Sequence, residues 1–333
     1  MGKSAQLMGR FLPGHEWEET CNKLEAFRLF AYADQELSIP QDHLEPLSKM
    51  IGRAFALENF RSIWALEGVA HYYTAAVLAA GPVKGLLSSA PDNDIPERTL
   101  VSMHAGMGTA FAESLLSKGE SDLRGTVNRF FDLCRENAAP GWYDNAAEPM
   151  GLVVRSMYPH LLGAVGEVMG AAGPAAQHLY WHGVGRSLYF VPTNFMTFGG
   201  SHSRALEAAI AEAPSREDRL NSVAGLVWAV TLVNLRQPAV LRNLLRSAAE
   251  IDMDESIING IVSAVLVWRH MVPGERAWLT AYTHLSKDDE VWNRYVVHPS
   301  IDALAHAYPV LQERNAIASL FSYRPVAKIR EWQ

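Results

Sequence analysis

Two histidine phrases, each interleaved with glycine, constrain this chain more than any other feature: His104-Ala-Gly-Met-Gly108 running into Thr109-Ala-Phe111, and His182-Gly-Val-Gly185 running into Arg186-Ser-Leu-Tyr-Phe190. A glycine offers no Cβ to a neighbouring backbone, so elements can approach closely there. The flanking residues are apolar or aromatic, which places both phrases inside a packed structure. Their likeness predicts an internally duplicated chain.

The surrounding pattern is helical from end to end. Start signals recur at Ser38-Ile-Pro-Gln41, Ser215-Arg-Glu-Asp218 and Ser286-Lys-Asp-Asp289, each with a capping hydroxyl three residues before a side chain able to reach back. The fold class expected is all-α, a multi-helix bundle with an internal two-fold repeat and shorter stacked helical pairs toward the C-terminus. Helices are predicted near 17–33, 41–57, 59–80, 97–117, 120–137, 151–171, 175–190, 202–213, 216–236, 239–250, 254–270, 273–285 and 299–321.

Three punctuated stretches divide the pattern: 81–96, rich in proline and Asp/Asn; 138–149, with Pro140, Gly141 and Pro149; and 192–201, with Phe195, Phe198, Gly199 and Gly200. They suggest one all-α domain over 1–333, with repeat halves near 41–137 and 142–236 and a helical C-terminal region over 237–333. Glycines at 163, 166, 170 and 173 lie within a predicted helix, where each costs up to about 1 kcal/mol against alanine. Close helix packing would compensate, and so would a helix thinned to let a flat ligand lie against its backbone.

A chain of 333 residues, 49% hydrophobic, is ample for a real core without staples. The formal charge of -7 repels nucleic acid phosphates and anionic lipid, so no nucleic acid partner is expected. Cys21 and Cys134 stand far apart, which reads as two buried reduced thiols and not as a disulfide or metal knuckle. Lys3 and Arg10 precede no apolar signal core, and Glu16, Glu18 and Glu19 arrive early, as in a cytoplasmic start. The longest apolar runs, 223–235 and 257–268, fall short of the roughly 20 residues a transmembrane helix needs.

The series Phe55-Ala-Leu-Glu-Asn-Phe60-Arg61, Trp64-Ala-Leu-Glu67-Gly68, His104-Ala-Gly-Met-Gly108, His182-Gly-Val-Gly185-Arg186-Ser187 and Asn221-Ser-Val-Ala-Gly225 resembles an uncharacterised bacterial domain family. That family is best known from enediyne and related natural-product gene clusters. The resemblance covers roughly residues 20 to 235, and Gly185-Arg-Ser-Leu188 is its most specific part. Where the family carries an acidic, glycine, aromatic and histidine phrase before its second repeat, this chain has Gly141-Trp142-Tyr143-Asp144-Asn145 and then Glu148-Pro149. The resemblance implies specialised metabolism on a long, unsaturated, hydrophobic intermediate and assigns no catalytic set.

Several chemistries can be weighed on residue types. Glu67 and His71 share a helix face, a pair that His104 or His182 would complete as a metal site. The paired Glu-x-x-His motif of bundle di-metal proteins is missing, however, so no metal and no cofactor is expected. Asp92-Asn-Asp94 with Glu97 is the one local carboxylate cluster, and it reads as a solvated turn. No Gly-x-Ser-x-Gly elbow or phosphate-binding glycine loop is present.

A protonation-driven reaction needs a buried acid kept neutral by its surroundings, and Asp144, Glu148, Glu67 and Glu58 qualify as candidates. Aromatic faces that stabilise a carbocation are offered by Trp64, Tyr72, Tyr73, Trp142, Tyr143, Tyr180, Trp181, Tyr189 and Phe190. Arg186 is expensive to bury unpaired. It either pairs with Glu67, Glu113 or Asp144 across the repeats or clamps an anionic head group. His104 and His182 are either hydrogen-bonded core residues or proton relays.

The leading expectation is a cytoplasmic enzyme that cyclises or isomerises a polyene or isoprenoid-like substrate in an aromatic cavity. Asp144, Glu148 or Glu67 would be the acid or base there, with His104 and His182 as relays. Trp64, Tyr72, Trp142, Tyr143, Trp181, Arg186 and Tyr189 would bind the substrate. The rival is a non-catalytic carrier, or a partner that docks another pathway enzyme through Arg236, Arg242 and Arg246.

Overall fold

In a computed structural model, residues 14–88, 95–119, 122–197, 200–249 and 251–325 are described. All regular structure among them is helical, and no strand occurs among them. The principal helices are α1 Gly14–Ala31, α2 Leu47–Phe55, α3 Asn59–Ala80, α4 Leu100–Leu116, α5 Leu123–Asn137, α6 Pro149–Met157, α7 Leu162–Ala172, α8 Pro174–Leu188, α9 Ser201–Ala211, α10 Arg216–Val233, α11 Pro238–Ser247 and α12 Asp254–Met271. No described helix is long and apolar enough to cross a membrane.

Local chemistry explains where the helices start and stop. Glu58 caps α3 by accepting the Phe60 N–H, Asp122 caps α5 by accepting the Gly125 N–H, and Ser215 with Asp218 closes a full capping box on α10. The start signals at Ser38 and Ser286 open no helix. Ser38 adopts a positive φ of 51°, and the helix predicted from 41 begins at Leu47, behind Pro46.

The helix predicted over 151–171 is two helices, because Pro159 opens a 3-10 turn, Pro159–Leu161, between α6 and α7. Only Thr280–Thr283 of the predicted 273–285 is helical. The last predicted helix starts earlier and ends earlier than 299–321. It spans 290–313 as short α pieces joined by π turns, Asn293–Val297 and Ala303–Ala307, each just ahead of a proline that cannot donate a helical hydrogen bond.

The segment 138–149, whose turn residues suggest a linker between repeats, lies in the core. It carries a short helix, Tyr143–Ala147, and buries Trp142, Asn145, Ala146 and Ala147. The buried apolar side chains form one continuous cluster from Ala26 to Phe321.

The central helices pack as a row, α1 on α3, α3 on α4, α4 on α6, α6 on α8, α8 on α10 and α10 on α12. The row curls back where α12 meets the Glu97–Thr99 turn ahead of α4. The crossings are made close by the glycines of the two histidine phrases and of Asn221-Ser-Val-Ala-Gly225. A Cβ on Gly106 would fall on the Glu67 carbonyl oxygen, one on Gly183 on that of Glu148, one on Gly225 on that of His182 and one on Gly185 on that of Ser222. Glycine in a helix is unfavourable by propensity. Its presence here is explained by backbone contact that no other residue permits.

Candidate functional site

Three of those crossings involve the carbonyls of Glu67, Glu148 and His182; the side chains of Glu67 and Glu148 meet at Arg186, and that of His182 meets Glu148. The Arg186 guanidinium, on α8, donates through Nη2 to Glu67 Oε1 at 2.8 Å and through Nη1 to Glu148 Oε2 at 2.9 Å. His182, one turn earlier on α8, lies with Nδ1 2.9 Å from Glu148 Oε1, so both oxygens of Glu148 are occupied. Glu148 and Arg186 are buried, and the Glu67 side chain retains 11% exposure. Among the described residues Glu67 Oε2 makes no hydrogen bond.

The cluster opens on a small cavity of about 10 Å³, room for one water molecule. Its walls include Glu67, Arg186, Trp64, Trp228, Met271 and Phe321. Arg186 sits over the Trp228 ring at 5.2 Å, and Phe321 meets Trp228 at 5.5 Å and His182 at 6.2 Å. Burial pushes the Glu67 carboxyl up, Arg186 pulls it down, and Glu148 pushes it up again, with a net rise. Burial disfavours the charge on Arg186, but Glu148 and Glu67 outweigh it and hold the proton more firmly. Two carboxylates share one guanidinium, so the cluster has a place for an extra proton, and Glu67 is the member that faces the cavity.

The other predicted site residues are placed elsewhere. His104 has both ring nitrogens engaged by backbone: Nδ1 donates to Leu100 O at 2.7 Å and Nε2 accepts the Ala139 N–H at 2.9 Å. Its ring stacks on Trp142, which also meets His270. Burial brings His104 down to about 4, so it is neutral and fixed in one tautomer. The two histidine phrases therefore share glycine crossings but differ in what their histidines contact.

Asp144 is raised by burial against the pull of Arg324 and does not pair with Arg186. Glu113, another suggested partner of Arg186, lies 2.8 Å from His71. Tyr143 packs against Phe131 and Arg135, Trp181 meets Tyr180 edge-on, and Tyr72 is half-buried on α3. Asp92, Asn93 and Asp94 lie outside the described residues. Among the described residues no group of three or more His, Cys, Asp or Glu could hold a metal ion. Of the suggested docking arginines, Arg236 pairs with Glu25 and covers the Phe60 ring, Arg242 pairs with Asp289 and covers Trp292, and Arg246 is exposed.

Tyr189 belongs to a second buried network. Its hydroxyl donates to Glu19 Oε1 at 2.8 Å and accepts from Asn234 Nδ2 at 2.6 Å, while His202 Nε2 and Lys23 Nζ approach the same Glu19 oxygen at 3.0 and 3.3 Å. Burial pulls the Lys23 ammonium down to about 8 against the attraction of Glu19. Lys23 also donates to Asn194 O and lies over the Tyr189 ring. Glu19 and Lys23 are four apart on α1, a spacing that in sequence is indistinguishable from a surface pair.

Sequence reasoning also missed Trp228, Met271 and Phe321. Trp228 lies within an apolar run and Phe321 near the chain end, where neither carries a local signal of function. Compared with family models, with curated proteins and with solved structures, the chain gives no match.

Proposed function

We propose that the protein is a cytoplasmic enzyme of natural-product biosynthesis, of the enediyne-cluster family it resembles, that cyclises or isomerises a long hydrophobic polyene or isoprenoid-like substrate by acid–base chemistry. The observation that carries this reading is Glu67: a buried carboxyl, raised above its ordinary value, with one oxygen held by Arg186 and the other unbonded, on an aromatic-walled cavity. Of the charged cluster, Glu67 and Arg186 line this cavity.

In this reading Glu67 gives its proton to one carbon of a double bond, leaving a cation on the neighbouring carbon and a carboxylate on Glu67. The faces of Trp64 and Trp228 stabilise the cation. Loss of a proton from an adjacent carbon back to Glu67 forms the new double bond and restores the acid, with or without ring closure between. Arg186 is a positioning residue: it keeps Glu67 Oε1 fixed and stabilises the carboxylate once the proton has left. Glu148 and His182 hold Arg186 in turn.

The test is native mass spectrometry of protein purified from a host carrying the adjacent biosynthetic genes, with product formation followed in D2O. Expected is a bound apolar metabolite, deuterium entering the product at a carbon position, and accumulation of unconverted metabolite on Glu67→Gln. Unchanged product formation by Glu67→Gln removes the acid assignment. An empty protein that copurifies with another enzyme of the cluster points to the non-catalytic role instead.

A further inference from the structure

The row of central helices closes where α12 meets the Glu97–Thr99 turn, and a second cavity, of about 100 Å³, lies at that closure. Four elements wall it. Phe55 ends α2, Asn59, Ser62 and Ile63 stand at the start of α3, Arg98 comes from the turn and Met271 ends α12. Spacing puts Asn59, Ser62 and Ile63 on one face of α3. Ile63 and Met271 also wall the smaller cavity at Glu67, so the two spaces adjoin.

Three polar side chains in this wall have no protein partner for their polar atoms. Among the described residues the Arg98 guanidinium makes no ion pair, and neither it nor the side chains of Asn59 and Ser62 make a hydrogen bond. Ser62 is only 5% exposed, so its free hydroxyl faces the cavity and not bulk water. The guanidinium lies 4.1 Å over the Phe55 ring, a stacking that holds its plane and leaves its N–H edge open. The turn that carries it is pinned, because the Thr99 hydroxyl and N–H both donate to Pro96 O, at 2.7 and 2.8 Å. Glu58, the cap of α3, accepts the Phe60 N–H, and neither it nor Glu97 walls the cavity. The N-terminus of α3 favours an anion here and the C-terminus of α12 opposes one by a similar amount, so the guanidinium decides the sign.

We infer that Arg98, Asn59 and Ser62 bind the head group of a small amphipathic anion, a carboxylate or a phosphate ester, with its apolar end against Ile63 and Met271. The planar fork of arginine matches either head group, and the amide and hydroxyl supply neutral donors to the remaining oxygens. A free inorganic ion is the poorer occupant, since one side of it would face hydrocarbon and lose its water without return. The anion site stands on this geometry alone; that the apolar end points toward the reacting acid rests on the function proposed above.

The experiment titrates the full chain, labelled with carbon-13 in its methionine methyl groups, with butanoate, butyl phosphate, n-butanol and inorganic phosphate. The Met271 methyl, assigned through Met271→Leu, reports binding by NMR. Butanoate and butyl phosphate are expected to shift it saturably, with n-butanol about tenfold weaker or more. Arg98→Leu, which still covers Phe55, should weaken both acids about tenfold or more and leave n-butanol unchanged. Ser62→Ala should weaken them about threefold. Arg246→Leu, at an exposed arginine of α11, is the control for net charge and should bind as wild type does.

Tighter binding of either acid supports the site and names its head group. The absence of a saturable shift with both acids overturns the proposal, and so does equal affinity of wild type and a folded Arg98→Leu, or of butanoate and n-butanol. Inorganic phosphate binding as tightly as butyl phosphate overturns the amphipathic ligand. None of these readouts requires Glu67 to act as an acid, so their failure leaves the Glu67→Gln result standing, and the loss of that assignment leaves the anion site.

Discussion

Replacing Arg186 with methionine tests the charge arrangement at the centre of the protein. The substitution keeps an unbranched apolar stem on α8 and removes the cation that Glu67 and Glu148 share at 2.8 and 2.9 Å. Removing one partner of a buried pair costs about 3–5 kcal/mol, and here two carboxylates lose their partner together. The folded variant relieves the strain most cheaply by binding one additional proton. From an ordinary carboxyl value of 4.5, that proton costs about 1.4 kcal/mol per pH unit, or about 5 kcal/mol at pH 8 and about 1.4 kcal/mol at pH 5.5. A carboxyl raised in the folded state contributes stability that is fully present below its unfolded value and is lost as pH rises through its folded value. The penalty of Arg186→Met should therefore shrink by about 3 kcal/mol between pH 8 and pH 5.5. Urea unfolding followed by circular dichroism, extrapolated to water at both pH values, measures it. Adding Glu67→Gln and Glu148→Gln to the variant should abolish the pH dependence. A penalty below about 1 kcal/mol at pH 8, or one equal at both pH values, would refute the reading of the cluster as a buried and mutually dependent set of charges.

The glycine crossings make a prediction opposite in sign to helix propensity. Gly225→Ala should destabilise by about 3 kcal/mol or more, because its Cβ meets the His182 carbonyl and backbone cannot step aside. Gly52→Ala and Gly163→Ala, where a Cβ has open space, should each gain about 0.5–1 kcal/mol in the same unfolding assay. His104 is lowered to about 4 by burial. Its contribution is thus fully present above the ordinary value of 6.5 and lost as pH falls toward 4, up to roughly 3 kcal/mol in all. The ring should stay neutral at pH 5 by NMR, and a protonated ring at that pH would contradict the backbone bonds assigned to both nitrogens. Tyr189→Phe should cost about 1–3 kcal/mol, since it leaves Glu19 and Asn234 each short of a buried partner. A loss of a few tenths would mean that the network refills with water.

The all-α class was legible because apolar periodicity and caps such as Ser215-x-x-Asp218 are local signals. Boundaries failed where a local signal conflicted with packing. Ser38 has the right residue type and spacing for a cap, but the chain turns there with a positive φ, and the proline-bearing stretch 138–149 goes into the core because Trp142 packs on His104 and His270. Within the candidate site, the cost of burying Arg186 unpaired pointed to an acidic partner, and Glu67 was among the three named. Glu148 was named as an acid but not as a partner of Arg186. Nothing in a sequence separation of 38 residues shows that α6 and α8 cross with a glycine over the Glu148 carbonyl. Phe321 was out of reach for the same reason: no residue near it encodes that its ring lands against Trp228 and His182.

The glycines and the charges are parts of one arrangement. Glutamate is a short arm, and for Glu148 beside α6 to meet a guanidinium on α8 the two helices must approach closely, which Gly183 allows, while Gly106 sets α4 on α3 at Glu67. Glycine at the crossing partner of each carbonyl makes that approach possible, and it expels the water that would otherwise solvate the carboxylates. Desolvation is then what raises Glu67, while Arg186 limits how far. Widening any one crossing by a methyl group should thus do more than loosen the core. It should admit water and lower the Glu67 carboxyl toward its ordinary value while leaving the protein folded. Gly106→Ala, which acts on the Glu67 carbonyl itself, is the variant in which that shift should be largest. Carbon-13 NMR of the glutamate carboxyls would show it as a Glu67 titration moved downward from its wild-type midpoint, and an unmoved midpoint in a folded Gly106→Ala would separate the packing from the acid.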